Sequence, residues 1–175
     1  MSNVQTAEVL KVGDIKVANT SNRLWRMLNV GSSLVVVIYD RTKQVAAAAH
    51  ILLPDSTLTG GPAPTPPSGE EGTLAKFADQ AIPVLIQQFE SLGGQKLYAS
   101  VKMAGGAQMF NFGGGGGNPL NIGSRNAIAA RAALSRLALG VEKTDVGGNK
   151  VRNLTFSLEN GLLHVAQLGG RDLIL

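Results

Sequence analysis

A serine and a histidine, Ser33 and His50, are the side chains of this chain best spaced to do chemistry. Ser33 closes the turn Gly31-Ser32-Ser33 just before an apolar run, and His50 follows four alanines, 46–49. A hydroxyl held against an imidazole is the pairing by which a general base activates a weak nucleophile. The β-branched stretch 34–38 reads as a buried strand, and 45–53 as a second one ended by Pro54 and Asp55, with Asp40-Arg41-Thr42-Lys43 as the turn between them. A hairpin symmetric about the Arg41/Thr42 junction sets residue i opposite residue 83 − i, and therefore Ser33 opposite His50. Directly opposed side chains share a face with Cβ atoms roughly 4.5–5.5 Å apart. A slip of one residue would place them on opposite faces. The same two residues also suit plainer roles, a turn-forming serine and a packed histidine.

The chain must supply a rigid frame for such a pair. Its 175 residues and 18.2 kDa suit a single domain spanning 1–175 with a substantial core. Hydrophobic residues at 44% and charged ones at 16% exclude a charged disordered chain, and 22 glycines imply many turns. The net charge of +4 is scattered, with no basic run and few aromatics for base stacking, which argues against nucleic acid and leaves acidic protein surfaces open as partners. Residues 1–14 lack a signal-peptide layout, and no apolar stretch approaches the roughly 20 residues of a membrane helix, so a soluble, cytoplasmic protein without membrane insertion is expected. The absence of cysteine removes disulfides, thiolate metal sites and thiol chemistry together. With two histidines besides, no metal and no cofactor are expected.

Along the chain, Ile15-Lys16-Val17 alternates like a strand. Residues 60–69, with four prolines, suit neither helix nor central strand and read as a mobile surface loop, either a tolerated insertion or a flap over substrate. Thr73 suits the cap of a helix running to about Leu92, stopped by Gly93-Gly94 and kinked by Pro83. Lys96, Tyr98, Ser100 and Lys102 alternate with Leu97, Ala99, Val101 and Met103, which predicts a strand with one wet face. The glycine-rich loop 113–118 lacks the lysine of a phosphate loop and the spacing of a dinucleotide fingerprint, so it reads as a turn. Ser124 is placed to cap a second helix over about 125–139, with Ile128, Ala132 and Leu134 among its apolar positions and Arg125, Arg131 and Arg136 on a solvated face. Strands at 141–146, 151–156 and 162–168 follow, the last containing His164.

Four blocks in order extend this reading: Asn29-Val30-Gly31-Ser32-Ser33 through Tyr39-Asp40 to His50; Phe77-Ala78-Asp79-Gln80-Ala81-Ile82-Pro83; Gly105-Gly106-Ala107-Gln108-Met109-Phe110; and Asn121-Ile122-Gly123-Ser124-Arg125-Asn126 with Asp145-Val146-Gly147-Gly148. Together they resemble the CheD family of chemoreceptor glutamine deamidases over nearly the whole chain. The resemblance implies a single α/β domain with a β-sheet core and flanking helices, related to deamidating-toxin domains. It also implies a chemotaxis role, hydrolysis of chemoreceptor glutamine side chains to glutamate with release of ammonia, and association with CheC-type phosphatases.

Carried over residue by residue, the family pattern places its base at His50, its cysteine nucleophile at Ser33 and its threonine at Met27, while Asn29 stands where glycine is usual. A thiol paired with histidine is readily held as thiolate, whereas serine must lose its proton during attack and needs a well-oriented base. Three readings follow: a catalytically impaired, pseudoenzyme-like member that binds a CheC-type phosphatase or a chemoreceptor helix; an active amide hydrolase using Ser33 and His50, with Asp55 or the 60–69 loop as third member; or a cysteine-to-serine replacement made in an active deamidase. Met109, Phe110 and Phe112 beside the glycine-rich loop are the candidates for partner contact, with core packing as their other role.

Overall fold

The computed structural model describes residues 6–20, 22–59, 74–109 and 121–175. The proposed cap Thr73, the loops 60–69 and 113–118, and Phe110 and Phe112 lie outside them. Among the described residues there are ten strands: β1 (Thr6–Val9), β2 (Ile15–Ala18), β3 (Arg23–Val30), β4 (Leu34–Asp40), β5 (Val45–Ile51), β6 (Ala99–Gly105), β7 (Lys143–Val146), β8 (Arg152–Ser157), β9 (Leu163–Gln167) and β10 (Asp172–Ile174). Two α-helices, α1 (Ala78–Ser91) and α2 (Ile122–Arg136), accompany them.

The strands form two five-stranded sheets, ordered β1-β3-β8-β9-β10 and β2-β5-β4-β6-β7. Alternation along β4 and β5 divides the interior in two. Val35, Val37, Ala46 and Ala48 face the first sheet, where they meet Trp25, Met27, Leu154 and Phe156. Val36, Ile38, Ala47 and Ala49 face the helices and pack on Ile82, Leu85, Phe89 and Leu134. Both faces of the β4–β5 hairpin are thus covered, which is why its sequence is continuously apolar rather than alternating. The architecture is a mixed α/β sandwich of sheet, sheet and helices, in keeping with the expected sheet core.

The hairpin differs from its predicted register. Val35 pairs with His50 and Leu34 with Ile51, so residue i faces 85 − i, and the connection spans four residues, 41–44. Asp40 explains the longer turn: its carboxylate accepts hydrogen bonds from the Thr42 and Lys43 amides and from the Gln95 amide, and Gln44 takes a left-handed φ of 52°. The offset of two preserves sidedness, so Ser33 and His50 stay on one face.

Helix α1 starts at Ala78, later than predicted, because Phe77 is held by a bridge to Leu53 and the Ala78 amide donates to the Leu53 carbonyl. Pro83 lies within the helix, and Gly93, at φ 98°, follows its end. Helix α2 is capped by Asn121, whose side chain accepts from the Ser124 amide, rather than by Ser124 itself. Ile128 and Ala132 are exposed, and the apolar stripe runs instead through Ala127, Ala130, Ala133 and Leu134.

The wet face expected at 96–103 is absent. Residues Lys96–Tyr98 form a 3-10 turn, and Lys102 in β6 is buried between the sheets, donating from Nζ to the carbonyls of Gly161 and Leu175. Strands β1, β3 and β10 had no counterpart in the sequence reading. Trp25 and Met27 mark the inward face of β3, but apolar Leu28 on its exposed face hides that alternation in the sequence.

Candidate functional site

The site begins where β3 turns into β4. The pairing of β3 with β8 is irregular between Met27 and Val30, and Asn29 there has φ 56°. That left-handed conformation favours glycine and is tolerated by asparagine. Its amide donates to the Asn153 carboxamide at 2.9 Å. The following turn is fixed by its carbonyls. Gly31 O accepts from the Ala107 amide at 2.8 Å, Ser32 O from Asn126 Nδ2 at 2.9 Å, and Ser33 O from the Gly106 amide at 2.8 Å.

His50 comes from β5, whose partners are β4 on one side and β2 on the other. Its Nε2 lies 2.8 Å from Ser33 Oγ, and its Nδ1 lies 3.3 Å from the main-chain carbonyl of Leu10. A carbonyl only accepts, so Nδ1 carries the proton and Nε2 is left to accept from the serine hydroxyl. Burial holds the His50 pKa below its ordinary value, overcoming the opposing influence of the Leu10 hydrogen bond and of the Asp14 carboxylate. The imidazole is therefore neutral near pH 7, the form a general base requires.

Met27 does not supply the third contact. It is fully buried in the layer between the sheets, opposite Leu154 in β8. Asp55 does not supply it either, since its carboxylate accepts from the Thr57 amide and hydroxyl. The histidine is oriented by the Leu10 main chain, a group the sequence reading missed because a backbone carbonyl leaves no side-chain signature.

A cleft of about 570 Å³ opens over the pair, and Ser33 and His50 lie in its lining. Its walls carry Val9, Val12, Leu28, Leu52 and Met109, each more than a third exposed. Met109 is the one proposed partner-contact residue within the described set, and its side chain packs over Gly31, where an added Cβ would sit 3.1 Å from the sulfur. The cleft is apolar at its rim, with the Ser33 hydroxyl and the His50 imidazole as polar groups in its lining. His164 lies far from this arrangement in the pairing scheme, exposed on β9 beside Thr155. Among the described residues no group of three or more His, Asp or Glu is placed to hold a metal ion, and no helix is long and apolar enough to cross a membrane.

The family model for CheD chemotactic sensory transduction matches residues 52–167. The chain is 37% identical over 166 residues to a probable chemoreceptor glutamine deamidase CheD of Geobacillus kaustophilus, covering 93% of this chain and 94% of the relative. It is 36% identical to the chemoreceptor glutamine deamidase CheD of Halalkalibacterium halodurans, covering 90% and 93% of the two chains. A probable chemoreceptor glutamine deamidase CheD of Desulforamulus reducens is 39% identical, with 90% and 89% covered. The family-model match begins just beyond Ser33 and His50, whereas these relatives align over about nine tenths of the chain. The chain belongs to the CheD family of chemotaxis proteins.

Proposed function

We propose that this chain is a CheD-type chemotaxis protein of the cytoplasm that receives a glutamine side chain of a chemoreceptor helix in the Ser33–His50 cleft and hydrolyses it slowly. Its role is chiefly that of a binding partner for the receptor or for a CheC-type phosphatase. The observation that carries this reading is the Ser33 hydroxyl 2.8 Å from the neutral His50 imidazole on the floor of an apolar cleft.

The chemistry follows from that contact. Ser33 Oγ adds to the carbonyl carbon of the side-chain amide as its proton passes to His50 Nε2. Collapse of the tetrahedral adduct returns that proton to nitrogen and releases ammonia, leaving an ester on Ser33. Water, deprotonated by His50, then frees glutamate and restores the serine. The weak step is the first, because an alcohol is not ionised near neutral pH whereas a histidine-paired thiol is.

Purified protein should bind a receptor helical fragment while releasing ammonia from it at a rate on the order of 10²-fold or more below that of Ser33→Cys. Absence of receptor and phosphatase binding would remove the reading. A second reading, a fully active serine amide hydrolase, is favoured by the Leu10 carbonyl at His50 Nδ1, which orients the base without Met27. It requires rapid ammonia release that Ser33→Ala abolishes. If Ser33 replaces a cysteine in an otherwise intact deamidase, Ser33→Cys alone restores rapid turnover.

A further inference from the structure

Asn126 is a fully buried polar residue on α2 that the catalytic pair does not touch. Its Nδ2 donates to Ser32 O at 2.9 Å and to Leu52 O at 3.1 Å, joining the turn that carries Ser33 to the chain just past His50. Its Oδ1 is buried with no partner among the described residues. A buried orphan acceptor is unfavourable, and exchanging the two amide atoms would set an oxygen against two carbonyls, so the orientation follows from the two bonds that Nδ2 makes.

Those bonds fix the peptide planes of the turn. In a trans peptide the N–H points opposite to the preceding C=O. Gly31 O is directed at the 106–107 segment and Ser32 O at Asn126, so the Ser32 and Ser33 amides point the other way. Neither amide donates to a described protein acceptor, and the cleft is lined by Gly31, Ser32 and Ser33 but by no residue of α2 or of 106–107.

From this we infer that the Ser32 and Ser33 amides form an oxyanion site at the cleft floor, and that Asn126 is the positioning residue that aims it. The inference rests on the reading of the cleft as an amide-hydrolase site. When Ser33 Oγ adds to a carbonyl carbon, the carbonyl oxygen becomes an anion that two preset N–H groups stabilise without reorganising. The site is thereby retained even where the nucleophile is an alcohol.

An alkyl boronic acid of about glutamine side-chain length tests this on the unaltered protein. Ser33 Oγ forms a bond to boron, its proton goes to His50, and the product is a tetrahedral boronate anion, read by boron NMR. In ¹⁵N-labelled protein the Ser32 and Ser33 amide protons should move downfield and exchange more slowly in the adduct, and Ser33→Ala should form no adduct. Asn126→Ala should weaken boronate binding at least about tenfold and reduce the downfield movement of both amide protons in whatever adduct still forms. No tetrahedral adduct, an adduct with both amides unmoved, or unchanged boronate affinity in Asn126→Ala would each overturn the inference. If Asn126→Ala does not fold, the amide measurement on the unaltered chain decides alone. Loss of receptor-fragment binding in the unaltered protein would instead strike the functional reading and leave the boronate result intact.

Discussion

His50 pairs directly with Val35 across the hairpin, and its imidazole reaches along the diagonal to Ser33, whose hydroxyl oxygen lies 2.8 Å from Nε2. The serine stands just outside β4, so its backbone is held by Gly106 and its neighbours rather than by the sheet ladder. The histidine lies inside β5. The pair thus joins an imidazole set in the sheet to a hydroxyl whose placement depends on the turn and on α2.

Ser33→Cys changes the nucleophile while keeping that frame. A thiol next to His50 is partly thiolate near neutral pH, so ammonia release from a receptor glutamine fragment should rise on the order of 10²- to 10⁴-fold. The increase should vanish in the double variant with His50→Gln. Equal rates for Ser33 and Ser33→Cys would show that ionisation of the nucleophile does not limit the reaction.

The buried histidine also predicts how stability depends on pH. Its folded-state pKa lies below 6.5 because of burial, while in the unfolded chain it titrates near 6.5. Between those two values the unfolded state binds more protons, so stability falls as pH drops through 6.5 and levels off below the folded pKa. The slope from one such group is at most about 1.4 kcal/mol per pH unit. Urea unfolding at a series of pH values should show this loss in the unaltered protein, and His50→Gln should lack that component.

Much of this site was legible in the sequence because the hairpin strands are long, apolar and joined at Asp40. Their faces survived an error of two in register, which moved His50 from direct to diagonal contact but could not turn it over. What was not legible came from main chain and from distance. The Leu10 carbonyl at Nδ1 has no sequence signature. Asn126 reaches the turn only because α2 packs where Gly123 lets it approach. Lys102 looked solvated because alternation alone cannot tell a wet face from a layer between two sheets where carbonyls of Gly161 and Leu175 await the ammonium.

Gly123 makes the second of those points testable. A Cβ built there would overlap the carbonyl oxygens of Gly106 and Ala107, which are main-chain atoms held by the site turn and cannot swing aside. Gly123→Ala should displace α2 from that segment and destabilise the fold by about 1–3 kcal/mol or more. The control is Gly140→Ala, where nothing lies within 4 Å of the added carbon. Chemical denaturation of the two variants should separate them clearly.

Met109 tests whether the cleft rim engages a partner or merely covers the floor. Its side chain is partly exposed and packs on Gly31 beside the nucleophile turn, and Leu28 and Leu52 are similarly exposed around the same opening. A receptor helix that presents a glutamine to Ser33 must lay its neighbouring apolar residues on this rim, so each truncation removes contact area from the complex and little from the fold. Met109→Ala and Leu52→Ala should each weaken receptor-fragment binding by about 1 kcal/mol, roughly five- to tenfold, with the folding midpoint nearly unchanged. If either variant instead loses stability while binding holds, that side chain serves packing, and the helix must rest on the other exposed lining residues, Val9 and Val12.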